Sequence, residues 1–263
     1  MLQDPKIAKV TNNNKDSTND LSGFVELVFN VPKRRNGGIS RVSPSTQKTI
    51  LIYSGGLDST VLLHHLINEG HEVKCLSVNY GQKHKKEIDS AKYFCDKLKV
   101  THEIVDLSGI TKLISSSVLT SDAEVPEGHY AEDSMKATVV PNRNMIMLSI
   151  AIGWAINEKF DNVAYAAHSG DHTIYPDCRE EFVDHVSKAA EIADWHSVKI
   201  IRPFIDIPKA DIAKLAGKLN VEIDKTWSCY KGQGFHCGKC GTCVERIEAL
   251  ELAGIEDNTI YKN

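Results

Sequence analysis

The chain has 263 residues, 41% of them apolar and 25% charged, with a formal net charge of -4. That is enough for one large domain with an appendage, and it excludes fibrous and low-complexity classes. The acidic balance excludes the broad basic surface of a nonspecific nucleic-acid binder, and no apolar run reaches membrane-spanning length.

Met1 to Val10 has no continuous apolar core of the signal-peptide kind, so a cytoplasmic protein is expected. In that compartment seven cysteines, four of them crowded near the C-terminus, favour metal binding over disulfides. Residues 1–46 read as an extension. A polar stretch, TNNNKDSTND, is followed by alternating residues that predict a strand at Phe24 to Val31, and Asn36-Gly37 suits a hairpin turn. Residues 47–208 then read as the main domain and 209–263 as a C-terminal helical region.

From Thr49 the pattern alternates. Strands are expected at Thr49–Tyr53, Val73–Val78 and Thr101–Val105, and helices at Asp58–Glu69 and Lys85–Lys97, with Gly70 ending the first helix. Such alternation predicts an α/β fold with a doubly wound, mostly parallel sheet. Residues 106–140 are polar and aperiodic and are taken as a long active-site loop or lid, with an ordinary surface loop as the alternative. Met145–Ile156 is apolar almost all round and predicts a helix buried on most faces. A strand at Val163–Ala167 and helices at Glu180–Ile192 and Lys209–Leu219 complete the pattern, the last ending near Asn220.

The first strand breaks into "SGGLDST", a strand-to-helix turn whose glycines and helix N-terminus suit a phosphate group. It has no following Gly-Lys-Ser/Thr and is not a Walker A loop. Ligands of an open parallel sheet sit beyond the carboxyl ends of its strands. The segments after the strands at 49–53, 73–78 and 163–167 put Asp58, Tyr80, Gln82, His84, Asp171 and Asp177 on that one edge. Asp58 suits Mg²⁺ beside a triphosphate, and helix N-capping is its alternative role. Cys229, Cys237, Cys240 and Cys243 follow a C-x7-C-x2-C-x2-C spacing padded by Gly238 and Gly241, which suits a closed tetrahedral Zn²⁺ site. An iron–sulfur cluster, or His236 in place of one cysteine, is the weaker reading. Cys178 falls in the site region without an identifiable activating base, so packing or substrate shaping ranks above a nucleophilic role.

The Ser-Gly-Gly-Leu-Asp-Ser turn resembles the PP-loop of ATP pyrophosphatases. Together with NYGQKHKKEI at 79–88, VPNRN at 140–144, YPDCREEF at 175–182, TWSCY at 226–230 and the cysteine cluster, it resembles the 7-cyano-7-deazaguanine synthase (QueC) family over about residues 48–250. The resemblance implies an enzyme that adenylates 7-carboxy-7-deazaguanine with ATP and Mg²⁺, captures it with ammonia as the amide, and activates the amide with a second ATP to leave the nitrile. It implies ATP contacts from Ser54, Gly55, Gly56, Leu57, Asp58, Ser59 and Thr60, and fixed positive charge from Arg143 and Lys209. A substrate pocket from Tyr80, Gln82, His84, Asn144, His168, Asp171, Tyr175, Asp177 and Cys178 follows, as do structural zinc and a homodimer. The runner-up within the same chemistry is a QueC-like enzyme of an anti-phage operon, which joins the activated carboxylate to an amine of a partner protein. A tRNA-thiolating PP-loop enzyme and a non-catalytic zinc module that binds nucleic acid rank lower.

Overall fold

The computed structural model describes residues 46–82, 86–121, 123–129, 133–231 and 234–262. The expected strand at 24–31, the Asn36-Gly37 turn and His84 lie outside the described residues. Five strands, β1 (Lys48–Ile52), β2 (Glu72–Asn79), β3 (Thr101–Asp106), β4 (Asn162–Ala164) and β5 (Lys199–Ile201), form one sheet in the order β3-β2-β1-β4-β5. Every pairing is parallel, with Ile50 opposite both Lys74 and Val163 in the register. The chain winds outward from β1 through β2 to β3 and later from β4 to β5, so the order reverses between β1 and β4. A crevice opens at such a switch point.

Successive strand residues face opposite sides of a sheet, and each side is covered by helices. Ile50, Leu76, Val163 and Ile200 pack with α3 (Arg143–Glu158) and α4 (Glu180–Glu191). Leu51, Cys75 and Ala164 pack on the other side with α1 (Leu57–Asn68), α2 (Lys86–Leu98), α5 (Lys209–Lys218) and α6 (Gly241–Ala253). Residues of α5 and α6, among them Ile212, Ala216 and Leu250, share this second layer with Val61 and Leu62 of α1. Left-handed residues end two of the helices at the expected places: Gly70 at φ 84° after α1 and Asn220 at φ 53° after α5.

Helix α3 is buried on most faces, as expected, and Ser149, Gly153 and Asn157 make an exposed strip at intervals of four residues. The 106–140 segment, expected as a long active-site loop or lid or an ordinary surface loop, carries local structure and buried anchors among its described residues. It contains 3-10 turns at Ser108–Leu113 and Asp133–Thr138, and Leu119, Val125 and Met135 are buried, the first two against the cysteine cluster. Single apolar anchors in a polar stretch carry no periodicity. Among the described residues no helix is long and apolar enough to cross a membrane.

Candidate active site and metal centre

The carboxyl edge of the sheet opens into a cleft of about 230 Å³ at the β1/β4 switch point. Its near wall is the turn after β1. Ser54 Oγ accepts the Gly56 N–H at 3.2 Å and lies 3.0 Å from Ser59 Oγ, while Ser59 also donates to the Gly56 carbonyl. Gly55 takes φ 79°, and a Cβ there would fall 2.4 Å from the Glu87 carbonyl oxygen. Its carbonyl accepts Trp227 N–H at 3.0 Å and the Ser90 hydroxyl at 2.8 Å. This glycine is therefore required by protein packing against α2 and the 225–228 segment, not by a ligand. Gly56 is the N-cap of α1 and no side chain caps it, so the N-capping role considered for Asp58 is not the one it plays.

Asp58 instead meets Lys209 at 3.1 Å, and Lys209 meets Glu245 of α6 at 2.7 Å. Asp58 Oδ1 is buried and has no hydrogen-bond partner among the described residues. Burial opposes the charge on Asp58, but the Lys209 ammonium, by its charge and hydrogen bond, outweighs it and holds the carboxyl below its ordinary range. Lys209 is likewise opposed by burial, and Asp58 and Glu245 raise its pKa, so it stays an ammonium. His168 is buried, its Nδ1 accepts Gly170 N–H at 3.1 Å, and its Nε2 lies 3.7 Å from Asp171 and 3.8 Å from Glu245. The accepting Nδ1 fixes the neutral tautomer with its proton on Nε2, toward the carboxylates.

Arg143 opens α3 at the opposite wall, its guanidinium carbon 5.8 Å from the Tyr175 ring centre, with Tyr80 and Tyr230 beside it. Thr138 donates to the Met135 carbonyl at 2.7 Å and therefore accepts from the Tyr175 hydroxyl, also at 2.7 Å. Tyr230 stands 3.4 Å beyond Tyr175. Asn144 donates its side-chain amide to Cys178 Sγ at 3.1 Å, and burial pushes the Cys178 thiol up, so it is a neutral wall group and not a thiolate nucleophile.

The cleft brings together Ser54, Gly56, Leu57, Asp58 and Ser59 of the turn, Tyr80 and Gln82 after β2, Arg143 and Asn144, His168, Asp171, Tyr175 and Cys178 after β4, and Lys209. Three expected members do not line it. Gly55 faces α2. Thr60 is buried with its hydroxyl 3.1 Å from that of Tyr53. Asp177 Oδ2 accepts the Asn144 N–H at 3.0 Å and so satisfies the start of α3.

Glu87, Tyr165, Trp227, Ser228 and Tyr230 line the cleft without having been singled out. Trp227, Ser228 and Tyr230 lie inside the quoted TWSCY stretch and Glu87 inside NYGQKHKKEI, whereas nothing local marks Glu245. The Tyr165 hydroxyl is buried without a partner among the described residues. Glu87 is pushed up to about 7 by burial, with Arg143 pulling the other way.

The four cysteine sulfurs lie within 4.8 Å of one another, and Cys237 Sγ is 4.0 Å from Cys243 Sγ. A tetrahedron with Zn–S bonds of ~2.3 Å has edges of about 3.8 Å, so the donor set fits a tetrahedral metal such as zinc. Cys240 N–H and Lys239 N–H donate to Cys237 Sγ, Cys237 N–H donates to Cys229 Sγ, and Cys240 and Cys243 begin α6, where the helix dipole favours thiolates. His236 is not a ligand. Its Nε2 accepts Ser228 N–H at 3.1 Å and its ring lies 4.4 Å from that of Trp227.

The sequence profile of the family described as "QueC: Queuosine biosynthesis protein QueC" matches residues 48–254. The chain is 49% identical over 216 residues to the 7-cyano-7-deazaguanine synthase of Pseudoalteromonas atlantica, covering 82% of this chain and 99% of that protein. It is 51% identical over 215 residues to the enzyme of the same name from Methanoregula boonei, with 82% and 99% covered. Among solved structures it is similar to an NH3-dependent NAD synthetase from Campylobacter jejuni, with TM-score 0.43 and 17% identity, over 80% of this chain and 76% of that one.

Proposed function

The chain belongs to the QueC family of queuosine biosynthesis proteins, and from that premise we propose that it is an ATP-dependent ligase. It adenylates 7-carboxy-7-deazaguanine and uses ammonia to form 7-cyano-7-deazaguanine through the amide. One observation carries the reading: a single cleft joins a nucleotide-type turn ending in Asp58 and Lys209 to a far wall of Arg143, Tyr175 and Cys178.

Transfer of an adenylyl group needs positioned charge more than covalent help from the protein. The turn at 54–59 binds the triphosphate through its backbone and hydroxyls, and the N-terminus of α1 favours the negative charge. Asp58 would hold Mg²⁺ through its unpartnered Oδ1, and the ion would supply charge neutralisation on the phosphates. Lys209, locked between Asp58 and Glu245, keeps a fixed positive charge beside the departing pyrophosphate. Arg143, desolvated among tyrosine rings, orients the carboxylate to be activated, and the rings of Tyr80, Tyr175 and Tyr230 suit a flat heterocycle. The cysteine cluster would hold zinc in a structural role, because four thiolates leave no open coordination position.

The test is turnover of ATP with and without the carboxylated deazaguanine, with products resolved by mass spectrometry. AMP and pyrophosphate should form only with the substrate present, the nitrile should accumulate, and Asp58→Asn should lower turnover by about 10²-fold or more. Release of ADP would refute adenylation. A product halted at the amide, or an adduct on a co-purifying protein, would refute the nitrile assignment.

A further inference from the structure

Capture of an activated carboxylate by ammonia requires a group that takes a proton from the attacking nitrogen, and the described cleft holds few able to do so. Lys209 is engaged with two carboxylates. Asp58 is paired with Lys209 and held below its ordinary range. Asp171 accepts the backbone N–H of His168 at 3.1 Å, and the His168 ring already bears its proton on the nitrogen facing Asp171 and Glu245. Burial pushes the Tyr80 and Tyr230 phenols and the Cys178 thiol up, so all three are protonated near neutral pH.

Glu87 is different. It stands in the first turn of α2 and lines the cleft, and among the described residues its carboxyl makes no hydrogen bond and no ion pair within 4.0 Å. It lies within electrostatic reach of Arg143, which anchors the far wall, yet the two are not paired. Its backbone is fixed from behind, because its carbonyl oxygen packs against Gly55. A carboxylate on a rigid helix start, unengaged and opposite the cation that orients the acyl group, has the placement of a base.

We propose that Glu87 accepts the proton of the amine that attacks the activated carboxylate, an inference that rests on the adenylation reading above. In the step, the nitrogen lone pair of ammonia forms the C–N bond and the acyl C–O bond breaks. AMP leaves with that electron pair, and one N–H proton passes to the Glu87 carboxylate. Burial that brings this carboxyl to about 7 matches a base working near neutral pH.

Two assays on the full chain separate the inference from its premise. Substrate-dependent exchange of labelled pyrophosphate into ATP reports adenylation and needs no amine. Formation of amide and nitrile in the presence of ammonia reports capture. Glu87→Gln should keep exchange within about threefold of the unmodified protein while its ammonia-dependent kcat falls by about 10²-fold or more, with KM for ATP unchanged. Retention of the ammonia-dependent rate would overturn the inference, and so would a parallel loss of exchange, which would make Glu87 a ligand-binding group. Absence of exchange in the unmodified protein would sink the adenylation reading and this inference with it.

Discussion

Arg246→Met should destabilise the protein by about 3 kcal/mol and loosen one wall of the cleft. Arg246 is fully buried on α6 and donates to Thr226 Oγ1 at 2.7 Å, Ser228 Oγ at 3.1 Å, the Ile223 carbonyl at 2.7 Å and Thr259 Oγ1 at 2.8 Å. Asp257 lies 3.6 Å from its Nε. It therefore ties α6, the 223–228 segment and the C-terminal tail together. Breaking one side of a buried charged network costs roughly 3–5 kcal/mol. The lower end applies because most partners keep a bond. The Ile223 carbonyl still accepts from Thr226, and Asp257 still accepts the Thr259 N–H and the Tyr261 hydroxyl. In a unit of about 220 residues each kcal/mol moves Tm by ~2–4 °C, so a fall of about 6–12 °C is expected. Thr259→Val, which removes one acceptor, should cost about 1.5–3 kcal/mol by the same measure. Thermal and urea unfolding give both values. Because Thr226 and Ser228 flank Trp227 in the cleft wall, KM should rise as well. A methionine variant with unchanged or higher Tm would show that apolar packing serves as well as the guanidinium, and would refute the role of Arg246 as a strut.

Two further outcomes are expected. The purified protein should carry one zinc per chain by elemental analysis, and Cys240→Ser should make residues 223–262 protease-sensitive while weakening substrate affinity, since Cys229 sits between Ser228 and Tyr230 of the cleft; a zinc-free, well-folded protein would contradict this. Glu87, raised from 4.5 to about 7 by burial, is favourable to the fold while protonated, and that contribution is lost as pH rises through this window. At about 1.36 kcal/mol per pH unit the full loss is ~3.4 kcal/mol, and the partly open side chain reduces it to about 1–2 kcal/mol. The Tm of Glu87→Gln minus that of the unmodified protein should therefore be larger at pH 8 than at pH 5, and an equal difference at both would contradict the assignment.

Local physics made much of this protein legible in its sequence. The β-branched run before SGGLDST, the helical repeat after it and the alternation to residue 105 specify strands, helices and parallel pairing without any distant partner, because each depends on side-chain period and on where a glycine permits a left-handed end. The cysteine spacing specified its cluster for a similar reason, since two-residue loops alone hold three of the four sulfurs near one another. What tertiary structure decided is which polar groups meet. Glu245 and Arg246 are neighbours on one helix and carry no signal of their own, yet one secures Lys209 beside Asp58 and the other ties the cleft wall to the tail. Asp177, in an expected substrate motif, is turned to the start of α3, and Gly55 serves α2. β5 pairs with β4 through only three residues, too short a run for a side-chain period to mark it in the sequence. A residue's charge and type are written locally, but its desolvation and its partner depend on distant chain segments, as for Asp58 and Lys209, 151 positions apart. Burial brings the Glu87 carboxyl to about 7, and the charge of the distant Lys209 holds Asp58 ionised against its own burial.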